Sequence, residues 1–161
     1  VPYYVDVDGT GAAGNVVKAS QNYEVQEKSI EYFLGQTIIK TRMIPKDVVQ
    51  YRRNGEDAKH FFTKNGEKKL SDLMKSENPL DEIKKHRATD VELIGITKET
   101  GKGDTYQIRW KEKVYNEKEL ESESTMVAFV SVKLSQPKTE EQIRSNPFGI
   151  YIDDISWSKE R

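Results

Sequence analysis

Apolar positions along this chain change their spacing twice, from a period of two at the start to a helical period, and back to two beyond Thr89. In YYVDVD, Tyr3, Val5 and Val7 alternate with Tyr4, Asp6 and Asp8, the pattern of a strand with one face in water. From Ser20 onward Tyr23, Ile30, Phe33, Leu34, Ile38 and Thr41 fall along one stripe, which predicts the main helix. It should end near Ile44, because Pro45 restricts the residue before it and has no amide donor to continue the ladder. Asp47 can cap a second helix carrying Val49, Ala58, Phe61 and Phe62, with Asn54-Gly55 as a point where it breaks in two. A third helix is expected from about Gly66 to Ser76, burying Leu70, Leu73 and Met74. Asn78-Pro79 punctuates it, and Leu80 to His86 adds two turns.

After Thr89, DVELIGITKE predicts a strand, TGKG its turn, and DTYQIRWKEKVYN a second strand with Tyr106, Ile108 and the structural Trp110 on one face. STMVAFVSVKL predicts a third, with Met126, Ala128, Val130, Val132 and Leu134 facing the same way. A short polar helix over TEEQIRS, the turn NPFG and a last strand IYIDDISW complete the chain. Helices first and antiparallel strands afterwards imply an α+β domain whose curved sheet wraps the long helix. One domain, 1–161, is expected: an N-terminal strand and glycine-rich loop (1–19), a helical part (20–88) and a sheet part (89–161).

Composition narrows the function. At 161 residues, 35% hydrophobic and 33% charged, the chain can bury a core beneath a heavily charged surface. A formal net charge of -1, with Lys and Arg mixed among Asp and Glu, gives no basic stripe for a phosphate backbone, so direct nucleic-acid binding is not expected. Without cysteine there is no disulfide, thiolate metal site or Cys nucleophile. The longest uninterrupted apolar run, Met126 to Val130, falls far short of the roughly twenty residues of a membrane span.

Candidate chemistry is sparse. Gly9, Gly11 and Gly14 spell G-x-G-x-x-G, but the strand before them alternates, whereas the opening strand of a dinucleotide fold is apolar on both faces. Asn15, Val16 and Val17 then suit a loop or a returning strand better than a phosphate-binding helix. His60 and His86 each sit beside charged neighbours with no metal-ligand spacing between them. Asp153 and Asp154 adjoin in a strand and point to opposite faces. Glu112 shares a face with Trp110, yet Lys111 and Lys113 suggest a wet sheet edge. TGKG lacks the remaining parts of a phosphate loop. No catalytic residue, cofactor or metal is therefore expected.

Two corners carry structural expectations. Arg42 and Asp47 bracket the Ile44-Pro45 break and should fix it, by an ion pair or by Asp47 capping the second helix. Asn146-Pro147-Phe148-Gly149 fits a type I turn, with Asn first, Pro second and Gly fourth. Phe148 then either folds onto the core or stands at the sheet edge as an aromatic anchor for a partner.

YQIRWKE followed by PKTEEQIRSNPFGIYIDDISWSKE resembles the TrbF and VirB-eight family of type IV secretion systems, whose signature is the N-P-x-G turn. VPYYVDVD and RMIPKDVVQYRRN are similar too, so the likeness covers nearly the whole chain in order. The resemblance implies a fold like nuclear transport factor two and a noncatalytic scaffold domain outside the inner membrane, with an N-terminal membrane anchor in the full-length protein. It also implies weak self-association, contacts with other channel subunits, and an interaction role for the turn Asn146, Pro147, Phe148 and Gly149. The alternative is a ligand-binding or enzymatic domain with a pocket inside the sheet. Apolar, filled positions at Tyr106, Ile108, Trp110, Met126 and Val130 would leave such a pocket no room.

Overall fold

The computed structural model describes residues 3–7 and 13–18 as backbone and residues 25–161 in full. Strands β1 (Tyr3–Val7) and β2 (Ala13–Lys18) pair antiparallel as a two-stranded sheet. Gly9 and Gly11 of the glycine motif lie outside the described residues. Gly14 is in β2, a returning antiparallel strand rather than the start of the helix that a pyrophosphate site requires.

Four helices follow: α1 (Glu27–Arg42), α2 (Val48–Lys59), α3 (Lys64–Met74) and α4 (Pro79–Lys84). Then come β3 (Arg87–Lys98), β4 (Thr105–Asn116), β5 (Glu119–Leu134), α5 (Glu140–Ser145) and β6 (Ile150–Lys159). The last four strands form one antiparallel sheet in chain order. Its inner face presents Tyr106, Ile108, Trp110, Met126, Ala128, Val130 and Ile152 to Ile30, Leu34 and Ile38 of α1, all buried in one cluster. The spacing of four between those helical residues puts them on one side of α1, which is why this helix and not a shorter one fills the concave sheet. Gly35 belongs to the same packing: a Cβ there would lie 2.7 Å from Leu93 Cδ1, so the missing side chain lets α1 approach β3.

Both sheet edges are partly occupied. Ile44 exchanges backbone hydrogen bonds with Thr89 at 3.0 and 2.9 Å, clamping the chain two residues beyond α1 onto β3. On the far side Phe61 and Thr63 bond to Ile152 of β6 at 2.7 and 3.0 Å. Such cover limits unwanted pairing of edge strands.

Several expectations need correcting. The main helix runs from Glu27 to Arg42, ending one turn's fraction before Pro45, because Ile44 joins the sheet instead. Asn54-Gly55 does not break α2: Asn54 is buried and its Oδ1 accepts a 2.8 Å hydrogen bond from Gln50. Val49 is 52% exposed, and Leu134, the terminal residue of β5 where the chain leaves the sheet, is 46% exposed. Tyr23 lies outside the described residues. Among the described residues, no helix is long and apolar enough to cross a membrane.

Candidate functional site

The polar run Thr139–Ser145 folds as α5 because Thr139 and Gln142 close a reciprocal capping box: the Gln142 amide donates to Thr139 Oγ1 at 3.1 Å, and Thr139 N–H donates to Gln142 Oε1 at 3.3 Å. The helix hands directly to the turn Asn146-Pro147-Phe148-Gly149, closed by Gly149 N–H donating to Asn146 O at 3.0 Å. Gly149 has φ 59°, a left-handed conformation that glycine adopts without strain. Asn146 holds three elements together. Its Nδ2 donates to His60 O at 2.8 Å and to Ile150 O at 2.9 Å, while its Oδ1 accepts from Ile150 N–H at 3.1 Å. One buried amide thereby joins the end of α2, the turn and the start of β6.

Phe148 is 5% exposed, so it is not displayed at the sheet edge; the reading that folds it onto the core matches this burial. Its ring meets Phe33 edge-on at 5.5 Å, and Phe33 in turn stacks on Phe61 at 5.6 Å and 18° and meets Tyr32 at 5.2 Å and 87°. The turn thus buttresses an aromatic cluster from behind. In front of that cluster a groove of about 890 Å³ runs between α1, the end of α2 and α5, with Tyr32, Phe33, Phe61 and Pro147 as its apolar surfaces and His60 and Arg144 on its rim. None of the four apolar residues is fully buried.

A second constellation sits at the far end of α1. Arg42 donates from Nε and Nη2 to the two oxygens of Glu112 at 2.7 and 2.9 Å, and from Nη1 to Glu77 at 2.7 Å. Trp110 Nε1 also donates to Glu112 Oε2 at 2.7 Å, and the guanidinium lies 4.7 Å from the centre of the Trp157 ring. Burial alone pulls the Arg42 pKa down, but the bonds to Glu112 and Glu77 outweigh it, so the side chain holds its proton more tightly than usual. The expectation of a wet edge at Glu112 is overturned: β4 is a central strand and Glu112 is 7% exposed. The flanking lysines were misleading because they project from the opposite face. Arg42 likewise does not pair with Asp47. The corner is fixed by both independently, with Asp47 accepting from Val49 N–H at 3.0 Å as the cap of α2.

The inward sheet positions Tyr106, Ile108, Trp110, Met126 and Val130 are all buried against the helices. A cavity of about 320 Å³ lies instead beside the ion cluster, where Arg42, Tyr51, Glu77 and Glu112 contribute to its wall and no histidine does. The carboxylates of Glu77 and Glu112 are engaged by Arg42. Tyr51 has its pKa raised by burial and then by the charge of Glu77, which disfavours a phenolate base. Glu77 and Glu112 are thus committed to Arg42 on this wall, and Glu82, also on it, lies 3.8 Å from Arg87.

The other candidates are dispersed. His60 caps α2 on the groove rim, and His86 follows α4 with φ 61°. Asp153 accepts from Thr63 Oγ1 at 2.8 Å and pairs with Lys133, while Asp154 pairs with Lys69. Among the described residues, no group of three or more His, Asp or Glu side chains converges as a metal site. TGKG is the β3–β4 turn, with Gly101 and Gly103 at φ 75° and 60°.

Comparison with known proteins gives one consistent answer. The family described as VirB8 protein matches residues 1–160. The conjugal transfer protein TrbF of Rhizobium radiobacter is 24% identical over 162 residues, covering 98% of this chain and 72% of that protein. The solved VirB8 protein of Agrobacterium tumefaciens superposes with a TM-score of 0.69 at 19% identity, covering 88% of this chain and 98% of its own. A TrwG component of a type IV secretion system from Bartonella birtlesii superposes with a TM-score of 0.70 at 14% identity, covering 88% and 97%. These likenesses carry the α+β fold of the nuclear transport factor two type.

Proposed function

The chain belongs to the VirB8 family of type IV secretion proteins, and we propose that it works as a noncatalytic assembly subunit of a conjugative apparatus, with the NPFG turn and its groove as a contact surface. In this reading the domain stands on the extracytoplasmic side of the inner membrane, anchored by a preceding helix of the full-length protein. Its partners are other channel subunits and, weakly, a second copy of itself. The observation that carries the reading is the division of labour around the turn. Asn146 and Phe148 are spent on rigidity, while Pro147, Tyr32, Phe33 and Phe61 leave a fixed aromatic surface facing outward. Preformed aromatic surfaces are favoured at the energetic centres of protein interfaces.

An enzymatic reading lacks comparable support, because the concave side of the sheet is filled by α1, and Glu77 and Glu112, which line the cavity beside it, are held by Arg42.

The test compares wild type with Tyr32→Ala in the full-length protein. The variant is expected to keep its thermal unfolding temperature within a few degrees, yet to capture fewer of the channel subunits from membranes of conjugating cells and to lower DNA transfer. A stable variant that captures its partners and transfers DNA normally would remove the groove from the assembly surface.

A further inference from the structure

The apolar lining of the groove is made of rings: three aromatic ones and one pyrrolidine, from Tyr32, Phe33, Phe61 and Pro147, with no Leu, Ile, Val or Met beside them. An amphipathic helix is held by a row of anchors at i, i+3, i+4 and i+7 lying in a broad hydrophobic trough. Four ring systems closely flanked by charged side chains do not offer that. Flat rings are instead what a polyproline II segment stacks on, since its pyrrolidines project at three residues per turn and it arrives already extended.

The polar rim agrees with this. A proline-rich backbone has carbonyl acceptors but few N–H donors, so its complement must be rich in donors. Here Tyr32, His60, Arg144 and Lys40 can donate into the groove, while the Ser145 hydroxyl already donates to Glu141 O at 2.9 Å. Carboxylate acceptors are fewer: Asp57, in an exposed 3.5 Å pair with Lys40, and Glu141. Arg144 bonds to Glu140 across one helical turn at 3.2 Å, but both side chains are exposed, so water screens the pair and a ligand carbonyl can replace it readily. Tyr32 stands nearly perpendicular to Phe33, so the groove lining holds rings in two orientations.

We infer that the groove beside the NPFG turn binds an extended, proline-rich segment of a partner subunit in the polyproline II conformation. This rests on the reading of the groove as an assembly surface, and it adds the chemistry of the occupant. Pro147 contributes a ring of the same kind as the ligand's, and Phe148 keeps Phe33 from tilting away when the segment docks.

The probe is a fluorescently labelled decaproline peptide, titrated into the protein and followed by anisotropy and backbone amide shifts. Saturable binding is expected, with a dissociation constant of roughly 10 µM to 1 mM, as befits a few stacked rings. Shifts should concentrate at residues 32–33, 57–61 and 144–147. Tyr32→Ala should weaken binding about tenfold, the loss of one good stacking contact. Arg144→Glu, at an exposed position where folding is not at stake, should weaken it as well. The inference is overturned by absence of saturation at millimolar peptide, by binding that survives both variants, or by preference for an amphipathic Leu/Lys helical peptide. If decaproline fails while Tyr32→Ala still costs subunit capture, the assembly surface stands and only its occupant is wrong. If both fail, the groove is not a docking site.

Discussion

Asn146 is the residue on which the turn depends, because its amide satisfies a carbonyl of His60, at the end of α2, and both the carbonyl and the amide of Ile150, at the start of β6. Asn146→Asp keeps the shape and removes the donor, setting a carboxylate oxygen against His60 O and Ile150 O. A buried unsatisfied group costs about 1–3 kcal/mol, and a charged one more, so urea denaturation should show at least that loss. An unchanged midpoint would mean that the turn is held by its backbone alone. Glu112 makes the second prediction at this scale. Glu112→Ala strands the buried Arg42 with Glu77 as its remaining carboxylate and leaves the Trp110 indole N–H unpaired. Breaking a buried pair from one side typically costs about 3–5 kcal/mol, whereas replacing Arg42 and Glu112 together by apolar residues of similar volume should be far milder. Equal losses in the single and double variants would contradict the pairing. Spacing alone carried the inward facing of both residues, though not their pairing. Glu112 continues the series Tyr106, Ile108, Trp110, and Arg42 continues Ile30, Leu34, Ile38 at steps of four. Lys111 and Lys113 say nothing about Glu112, because a strand sends its neighbours to the other face.

Among the elements, periodicity located helices and strands well where a single face is buried, and failed where local chemistry competes with a tertiary bond. Asn54-Gly55 looks like a turn in isolation, but the Gln50–Asn54 bond and the burial of Asn54 and Ala58 carry α2 through it. Val49 looks like a core residue, yet it lies in the first turn of α2 and faces solvent. The α1–α2 corner was read correctly in one half only. Asp47 caps α2, while Arg42 turns inward to a residue 70 positions away that no local pattern reveals. Asp47→Ala should lower stability by about 0.5–2 kcal/mol, read as a fall in melting temperature of a few degrees. No change would show that the Ile44–Thr89 bridge fixes the corner without the cap.

For the molecule as a whole, a concave sheet filled by α1 and partly covered at both edges leaves its surface, not its interior, to carry function. Proteins sharing 14–19% of residues with this chain keep the same fold, as expected where a core tolerates exchange of apolar residues that preserves its pattern and volume. The aromatic groove could not be read from the sequence, because Tyr32 and Phe33, Phe61 and Pro147 come from three separate segments and meet only once α2 and the NPFG turn are tied together by Asn146. The most direct measurement is site-specific photocrosslinking from position 32 in the full-length protein within the assembled apparatus, with position 49 on the exposed start of α2 as the comparison. An assembly surface at the groove predicts a defined adduct with another secretion subunit from position 32 and none, or far less, from position 49. Cross-linking from position 49 with a silent position 32 would contradict it.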